Sequence, residues 1–164
     1  MKKANLVVAL FSIGMISFSC SSSKKSAANI DRSDIKGTWL LENITYEGLP
    51  QNQNLKLTLL DEGNADCLEG STWVFPNNGD GSYSITKNEA GCVAGQRSIV
   101  WSYRVENGQD ILQFKKLTGG VKAKDITEGY KFNIVSATDA NLVLTSKVPY
   151  QGNTVSINYN FSKK

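Results

Sequence analysis

The C-terminal segment carries the most restrictive pattern in the chain. Val155, Ile157, Tyr159 and Phe161 alternate strictly with Thr154, Ser156, Asn158, Asn160 and Ser162. Side chains on a strand point to opposite faces in turn, so this run has one dry face and one wet face and suits a sheet covered on a single side. Weaker alternation recurs over residues 38–46, 55–60, 72–75, 82–86, 98–105, 111–116, 130–136 and 142–147, and no long segment has helical periodicity. The joins Asn77-Asn78-Gly79-Asp80-Gly81, Glu106-Asn107-Gly108 and Gln151-Gly152-Asn153 have hairpin chemistry, because Asn and Gly tolerate the positive φ angles of tight turns. Sequential short hairpins predict an all-β, up-and-down antiparallel sheet, and about eight or nine strands suffice to close it into a barrel without edges. A β-sandwich competes, but its crossovers need longer connections than most of these.

The other end of the chain reads as an address. Lys2 and Lys3 precede an apolar stretch from Ala4 to Phe18, too short for the roughly 20 residues of a spanning helix, and Ser19 then precedes Cys20. Ser17-Phe18-Ser19-Cys20, followed by Ser21, Ser22 and Ser23, resembles a bacterial lipoprotein lipobox. The resemblance implies removal of residues 1–19 and acylation of Cys20, which anchors the protein to a membrane without spanning it. Residues 20–34 then form the lipidated cysteine and a polar tether, leaving 35–164 as the folded domain. Bacteroidetes lipoproteins bound for the cell surface tend to carry acidic residues after the cysteine. The Ser and Lys residues here favour an outer-membrane anchor facing the periplasm, with the cell surface as the other location.

With Cys20 assigned to lipid, Cys67 and Cys92 remain as an even pair in an oxidising compartment, which predicts a disulfide. A metal or redox pair would need C-x-x-C spacing or a histidine, and the chain has neither. The absent histidine also removes Ser-His and Cys-His catalysis and most catalytic zinc sites. No enzyme, cofactor or metal is expected. An enzyme using Tyr103, Tyr130 or Glu128 as base is the minority reading. Lys and Arg total 18 against 15 acidic residues, and loss of Lys2 and Lys3 takes the formal +3 to +1. Such a near-neutral chain lacks the footprint of a nucleic-acid binder and is expected to be a monomer.

Gly37-Thr38-Trp39 at the first strand, the meander and the length together resemble the lipocalin signature G-x-W at the start of an eight-stranded barrel. With the lipobox, the paired cysteines, Gly70-Ser71-Thr72-Trp73 and Ile99-Val100-Trp101, the chain is similar to lipocalin-like lipoproteins of Bacteroidetes. The resemblance implies that Gly37 and Trp39 belong to the barrel floor. Lipocalins stack an arginine of the last strand on that tryptophan, yet the arginines here are Arg32, Arg97 and Arg104, so Lys163 is the available substitute. It also implies a small hydrophobic ligand, such as a lipid or fatty acid. Trp73, Phe75, Tyr83, Trp101, Tyr103, Tyr130 and Phe132 are the candidate lining residues. The same rings equally suit a filled barrel in an envelope interaction or structural lipoprotein.

Other charged groups read as solvated. Asp61, Glu62, Asp66 and Glu69 cluster in one loop, and Lys115, Lys116, Lys122 and Lys124 form a basic stretch expected to be a mobile loop, at a barrel mouth if it has a function. Cys20→Ala is expected to move the protein from the membrane fraction to the soluble fraction after cell fractionation; retention in the membrane would defeat the anchor assignment.

Overall fold

The computed structural model describes residues 30–49 and 57–164, so Cys20 and the signal segment lie outside the described residues. The order is α1 (Arg32–Ile35), β1 (Gly37–Glu47), α2 (Ala65–Leu68), β2 (Thr72–Phe75), β3 (Asp80–Ile85), β4 (Gly95–Glu106), β5 (Gln109–Leu117), β6 (Tyr130–Ala137), β7 (Asn141–Tyr150) and β8 (Asn153–Lys163). Every strand pairs antiparallel with its sequence neighbours, and β8 pairs with β1 to close an eight-stranded barrel. The expected up-and-down barrel is therefore the observed fold.

Alternation fills the interior from each strand, as β8 illustrates: Val155, Ile157, Tyr159 and Phe161 are all buried. The rings meet one another across the barrel. Trp73 stacks on Tyr83 at 4.3 Å and meets Phe114 and Phe161 edge-on at 5.5 and 5.8 Å. Phe114 stacks on Phe132 at 5.8 Å, and Phe132 meets Tyr159 edge-on at 5.2 Å. Offset and edge-on pairs of this kind add to the area term that drives burial.

Two strands break period two in a controlled way. In β1 the register to β8 shifts between Leu41 and Asn43, so Glu42 and Asn43 both face outward and Ile44 returns to the core. In β6 the shift between Ile134 and Ser136 turns Val135 outward and returns Ala137 to the core. Bulges of this type bend the strand and raise its twist, which a small barrel needs in order to close.

The strand expected over residues 55–60 is not present in its described part. Leu59 makes an isolated bridge to Gly63, and Leu60 lies in the turn between them. Leu59 and Leu60 are both buried, which a strand with one wet face does not allow for neighbouring residues. Lys115 and Lys116 lie in β5, as the alternation over residues 111–116 predicts, so of the basic stretch only Lys122 and Lys124 fall in the connection that follows. The Lys115 amine donates to the carbonyls of Ile126 and Ala123 at 2.6 and 3.3 Å.

The end holding the start of β1 is the floor. Asp31 caps α1 through a reciprocal capping box with Asp34, and Ile35 buries completely beneath the barrel. Trp39, fully buried, donates its indole N–H to the Ile35 carbonyl at 2.7 Å. The Lys163 ammonium lies 4.0 Å from the centre of the Trp39 ring and donates to the Lys36 carbonyl. Burial pulls the Lys163 pKa below the usual lysine range, opposed by the charge of Asp139. Gly37 sits at φ 131°, and a Cβ there would stand 2.5 Å from Lys163 Nζ, so the lysine can cover the tryptophan only past a glycine. Arg32 covers a second indole, its guanidinium 4.2 Å from the centre of the Trp101 ring.

Trp39→Ala removes the ring on which helix, first strand and last strand converge. It is expected to cost about 3–5 kcal/mol in urea unfolding; a loss below about 1 kcal/mol would show that the floor closes without it.

Candidate functional site

The opposite end of the barrel is closed by residues 57–71, the described part of the β1–β2 connection that leads into β2. Its described tip is a tight turn in which Leu59 N–H donates to Gly63 O at 2.6 Å and Glu62 N–H to Leu59 O at 3.0 Å. Leu60 and Asp61 stand at φ 53° and 54°, a conformation that costs a leucine roughly 1–2 kcal/mol. The turn delivers Leu59 and Leu60 into the core, 4% and 7% exposed, and then presents Glu62 to the barrel rim.

Behind the tip the chain is fastened twice. The Cys67–Cys92 disulfide, with Cα atoms 5.4 Å apart, ties α2 to the β3–β4 connection. Gly63 is wedged between Cys67 and the residue before Cys92: a Cβ there would meet Gly91 O at 2.7 Å and Cys67 Sγ at 3.1 Å. Asn64 caps α2 by accepting from Cys67 N–H at 3.1 Å. At the far end of α2, Glu69 accepts from Ile44 N–H at 2.8 Å, satisfying a donor just past the β1 bulge.

Glu62 is the centre of the closure. Tyr83 donates to its Oε1 at 2.5 Å, and Arg97 clamps both oxygens, with Nε 3.3 and 3.1 Å from Oε1 and Oε2 and Nη2 2.8 Å from Oε2. Lys116 Nζ stands 3.3 Å from Oε1 and donates to the Leu60 carbonyl at 2.7 Å. The phenol of Tyr130 donates to Asp61, and Lys116 lies 5.4 Å from the centre of the Tyr130 ring. The Glu62 side chain is only 8% exposed. Burial alone would raise its pKa, but bonds from Arg97 and Tyr83 and the nearby Lys116 charge outweigh that and hold it below the usual carboxylate range. Burial first, and the adjacent carboxylates second, push the Tyr83 and Tyr130 phenols up.

Glu62 and Glu69 are thus not the solvated loop charges expected of them. Burial of Glu62 is affordable because Arg97, Tyr83 and Lys116 together supply its hydrogen bonds. The strand phase contained the signal: Arg97 precedes Ile99 and Trp101 in the inward series of β4, and Lys116 follows Leu112 and Phe114 in that of β5. An inward charge near a strand end requires a partner.

The seven candidate lining residues do not form one surface. Phe75, Trp101 and Tyr103 lie toward the floor, where Trp101 donates to Pro76 O at 3.0 Å. The Tyr103 hydroxyl stands 2.7 Å from Ile30 O and 2.6 Å from Asp110 Oδ1, two acceptors for one proton, and burial with Asp110 pushes its pKa up to about 12. Trp73, Tyr83 and Phe132 occupy the packed interior with Phe114, and Tyr130 stands at the rim. Of two clefts, one is mainly polar, lined by Gln109, Ile111, Lys131, Asn133 and Thr145, and the other mixes Val135 and Val143 with Thr45, Ser156, Asn158 and Asn160. Among the described residues no three of His, Cys, Asp and Glu converge as metal ligands do.

A closed eight-stranded meander with a G-x-W tryptophan at its floor agrees with sequence comparison, in which a lipocalin-like domain profile matches residues 35–144. The chain belongs to the lipocalin-like domain family. The match runs from α1 into β7 of the lipocalin-like barrel and so includes the mouth loop, the disulfide and every partner of Glu62. No curated protein matches the chain.

A carboxylate whose folded pKa is depressed stabilises the fold above its ordinary pKa of about 4.3 and loses that contribution as pH falls through the folded value. The groups facing Glu62 are Arg97, Lys116 and Tyr83, with Asp61 and Tyr130 alongside. Glu62→Gln is expected to cost about 1–3 kcal/mol at pH 7, and the difference from wild type should shrink as pH falls below about 4. Unfolding curves between pH 7 and pH 3 measure it; a difference independent of pH would remove the ionic role of Glu62.

Proposed function

We propose that this lipocalin-like protein is a membrane-anchored binding protein that takes up a small hydrophobic molecule, such as a lipid or fatty acid, in a bacterial cell envelope. The supporting observation is the unequal construction of the two barrel ends. The floor is sealed by buried Ile35 and Trp39 beneath a helix continuous with β1. The mouth is sealed by a two-leucine tip with left-handed residues, held down by side-chain contacts to Glu62 and Asp61. Such a tip can leave without opening the barrel ladder, and it lies directly over the ring column of Tyr83 and Trp73. Elements that move for binding come from the less stable parts of a structure.

The anchor belongs to the same reading, supported by the Bacteroidetes-type lipobox at Cys20. Residue 30 enters the domain at the floor, where its carbonyl meets Tyr103. A tether leading from Cys20 in the outer membrane to that end leaves the mouth at the side remote from the attachment point, facing the periplasm. Among the described residues no helix is long and apolar enough to cross a membrane.

A second reading, a filled barrel that works through its surface in the envelope, is favoured by the direct ring-to-ring packing of Trp73, Tyr83, Phe114 and Phe132. Native mass spectrometry of the protein extracted from its membrane separates the two. A reproducible adduct of lipid mass beyond the anchor is expected for the binding protein, together with quenching of Trp73 fluorescence by fatty acids. Adduct-free protein with unquenched fluorescence supports the filled barrel.

A further inference from the structure

The outer wall around the β8–β1 seam has a symmetry of its own. Outward positions on β8 are Thr154, Ser156, Asn158, Asn160 and Ser162, so the centre of this wall carries no charge. On either side the rows are fixed by strand pairing: Lys147 and Glu47 flank Ser156, Thr145 and Thr45 flank Asn158, and Val143 and Asn43 flank Asn160. Lys147 and Glu47 are both exposed and stand two strand spacings apart, about 10 Å, too far to pair within one barrel. The ion pairs among the described residues include neither of them. Glu47 accepts from the Asn158 amide at 2.9 Å.

A wall with a neutral centre, a cation on one margin and an anion level with it on the other is complementary to a second copy of itself. Turning one copy by 180° about an axis along β8 sets the two walls face to face with left and right exchanged. Each Lys147 then meets the partner's Glu47, and two ion pairs form. The column on the axis meets itself. Asn158 and Asn160 each carry an amide that both donates and accepts, which suits pairing of like residues, and Ser156 is short enough for the longer margins to approach. Thr145, whose hydroxyl has no partner within the chain, faces the partner's Thr45. Rotation about an axis across the strands would instead set Lys147 on Lys147 and Glu47 on Glu47, and like charges so placed are costly. The tether selects the same axis as the charges do, because rotation about β8 leaves both floors at one end, as two chains anchored in one membrane require. A polar wall on a barrel gives a weak interface in free solution, and sharing a membrane raises the effective concentration that a weak interface needs.

We propose that two copies of this protein associate side by side through the β7–β8–β1 outer wall, with Lys147 of each paired to Glu47 of the other. The inference goes beyond the binding reading and holds whether the barrel is filled or takes up a ligand.

The test is cross-linking in cells that make the full chain with Ser156→Cys, using a short membrane-permeant bismaleimide and denaturing electrophoresis. Wild type, with Cys67 joined to Cys92, is the blank, and Ser84→Cys on the outer wall of β3 measures chance collision. Ser156→Cys is expected to give a product of twice the chain mass, well above the yield from Ser84→Cys. Adding Lys147→Glu or Glu47→Lys to Ser156→Cys is expected to weaken association about tenfold, because like charges then meet. Adding both is expected to restore it, because the pair re-forms with its signs exchanged. The bond from Asn158 to Glu47 is lost in the double reversal too, so recovery there reports pairing between copies and not local structure. Equal linking by Ser156→Cys and Ser84→Cys overturns the proposal. A yield that neither single reversal lowers, or that the double reversal fails to restore, overturns it as well. Products joining Ser156→Cys to other envelope proteins, with none of twice the chain mass, assign the wall to a different partner and also defeat self-association.

Discussion

Closure of β8 onto β1 is the constraint on which the remaining structure depends. An up-and-down meander leaves two edges until its last strand reaches its first, and here that seam runs from the Trp39–Lys163 pair to the Glu47–Ser156 pair. The floor end of the seam is fixed by one residue from each participant. Gly37 supplies a left-handed backbone and no side chain, Trp39 supplies the ring, and Lys163 crosses the space above Gly37 to lie on that ring. A cation over an indole contributes only about 0.5–2 kcal/mol. Its importance lies in register: a slip of one residue at the seam would turn Val155, Ile157, Tyr159 and Phe161 to water.

The sheet was legible because one-sided burial imposes period two, and β8 shows it without a break. The bulged strands were legible only in part. Between Leu41 and Ile44 the apolar spacing is three residues, which breaks the period of a flat strand and by itself suits a helical turn, and only the pairing partner on β8 resolves it as a bulge. Leu55, Leu57 and Leu59 alternate as a strand would, yet the described end of that run turns back on itself at Leu60 and Asp61. The left-handed backbone of a leucine is set by what its side chain reaches in three dimensions, and local sequence carries no trace of that.

The mouth was the least legible part for a related reason. Glu62 lies 35 positions from Arg97 and 54 from Lys116 in sequence, and no local pattern associates them. Read along the loop, Glu62 is one acid among four and resembles solvated charge. Read along β4 and β5, Arg97 and Lys116 fall on the inward phase, which already states that something anionic must face them. The strands therefore encode the receptor half of the closure, and the loop encodes the occupant. The cysteines join the two descriptions, because Cys67 follows the occupant and Cys92 precedes Arg97.

The two ends of the barrel are closed by different physical means. Floor contacts are apolar, buried and continuous with the ladder, so opening them requires unfolding β1 and β8 together. Mouth contacts combine two buried leucines with ion pairs and phenol hydrogen bonds, all made by a turn that lies outside the barrel ladder. An apolar plug alone would leave only at the full cost of exposing two leucines, and a polar plug alone would leave the rings below it wet. Joining Leu59 and Leu60 to Glu62 covers the rings and pairs Arg97 and Lys116 within one short turn. The disulfide holds the base of the loop in place, with Gly63 pinned between Cys67 and Gly91.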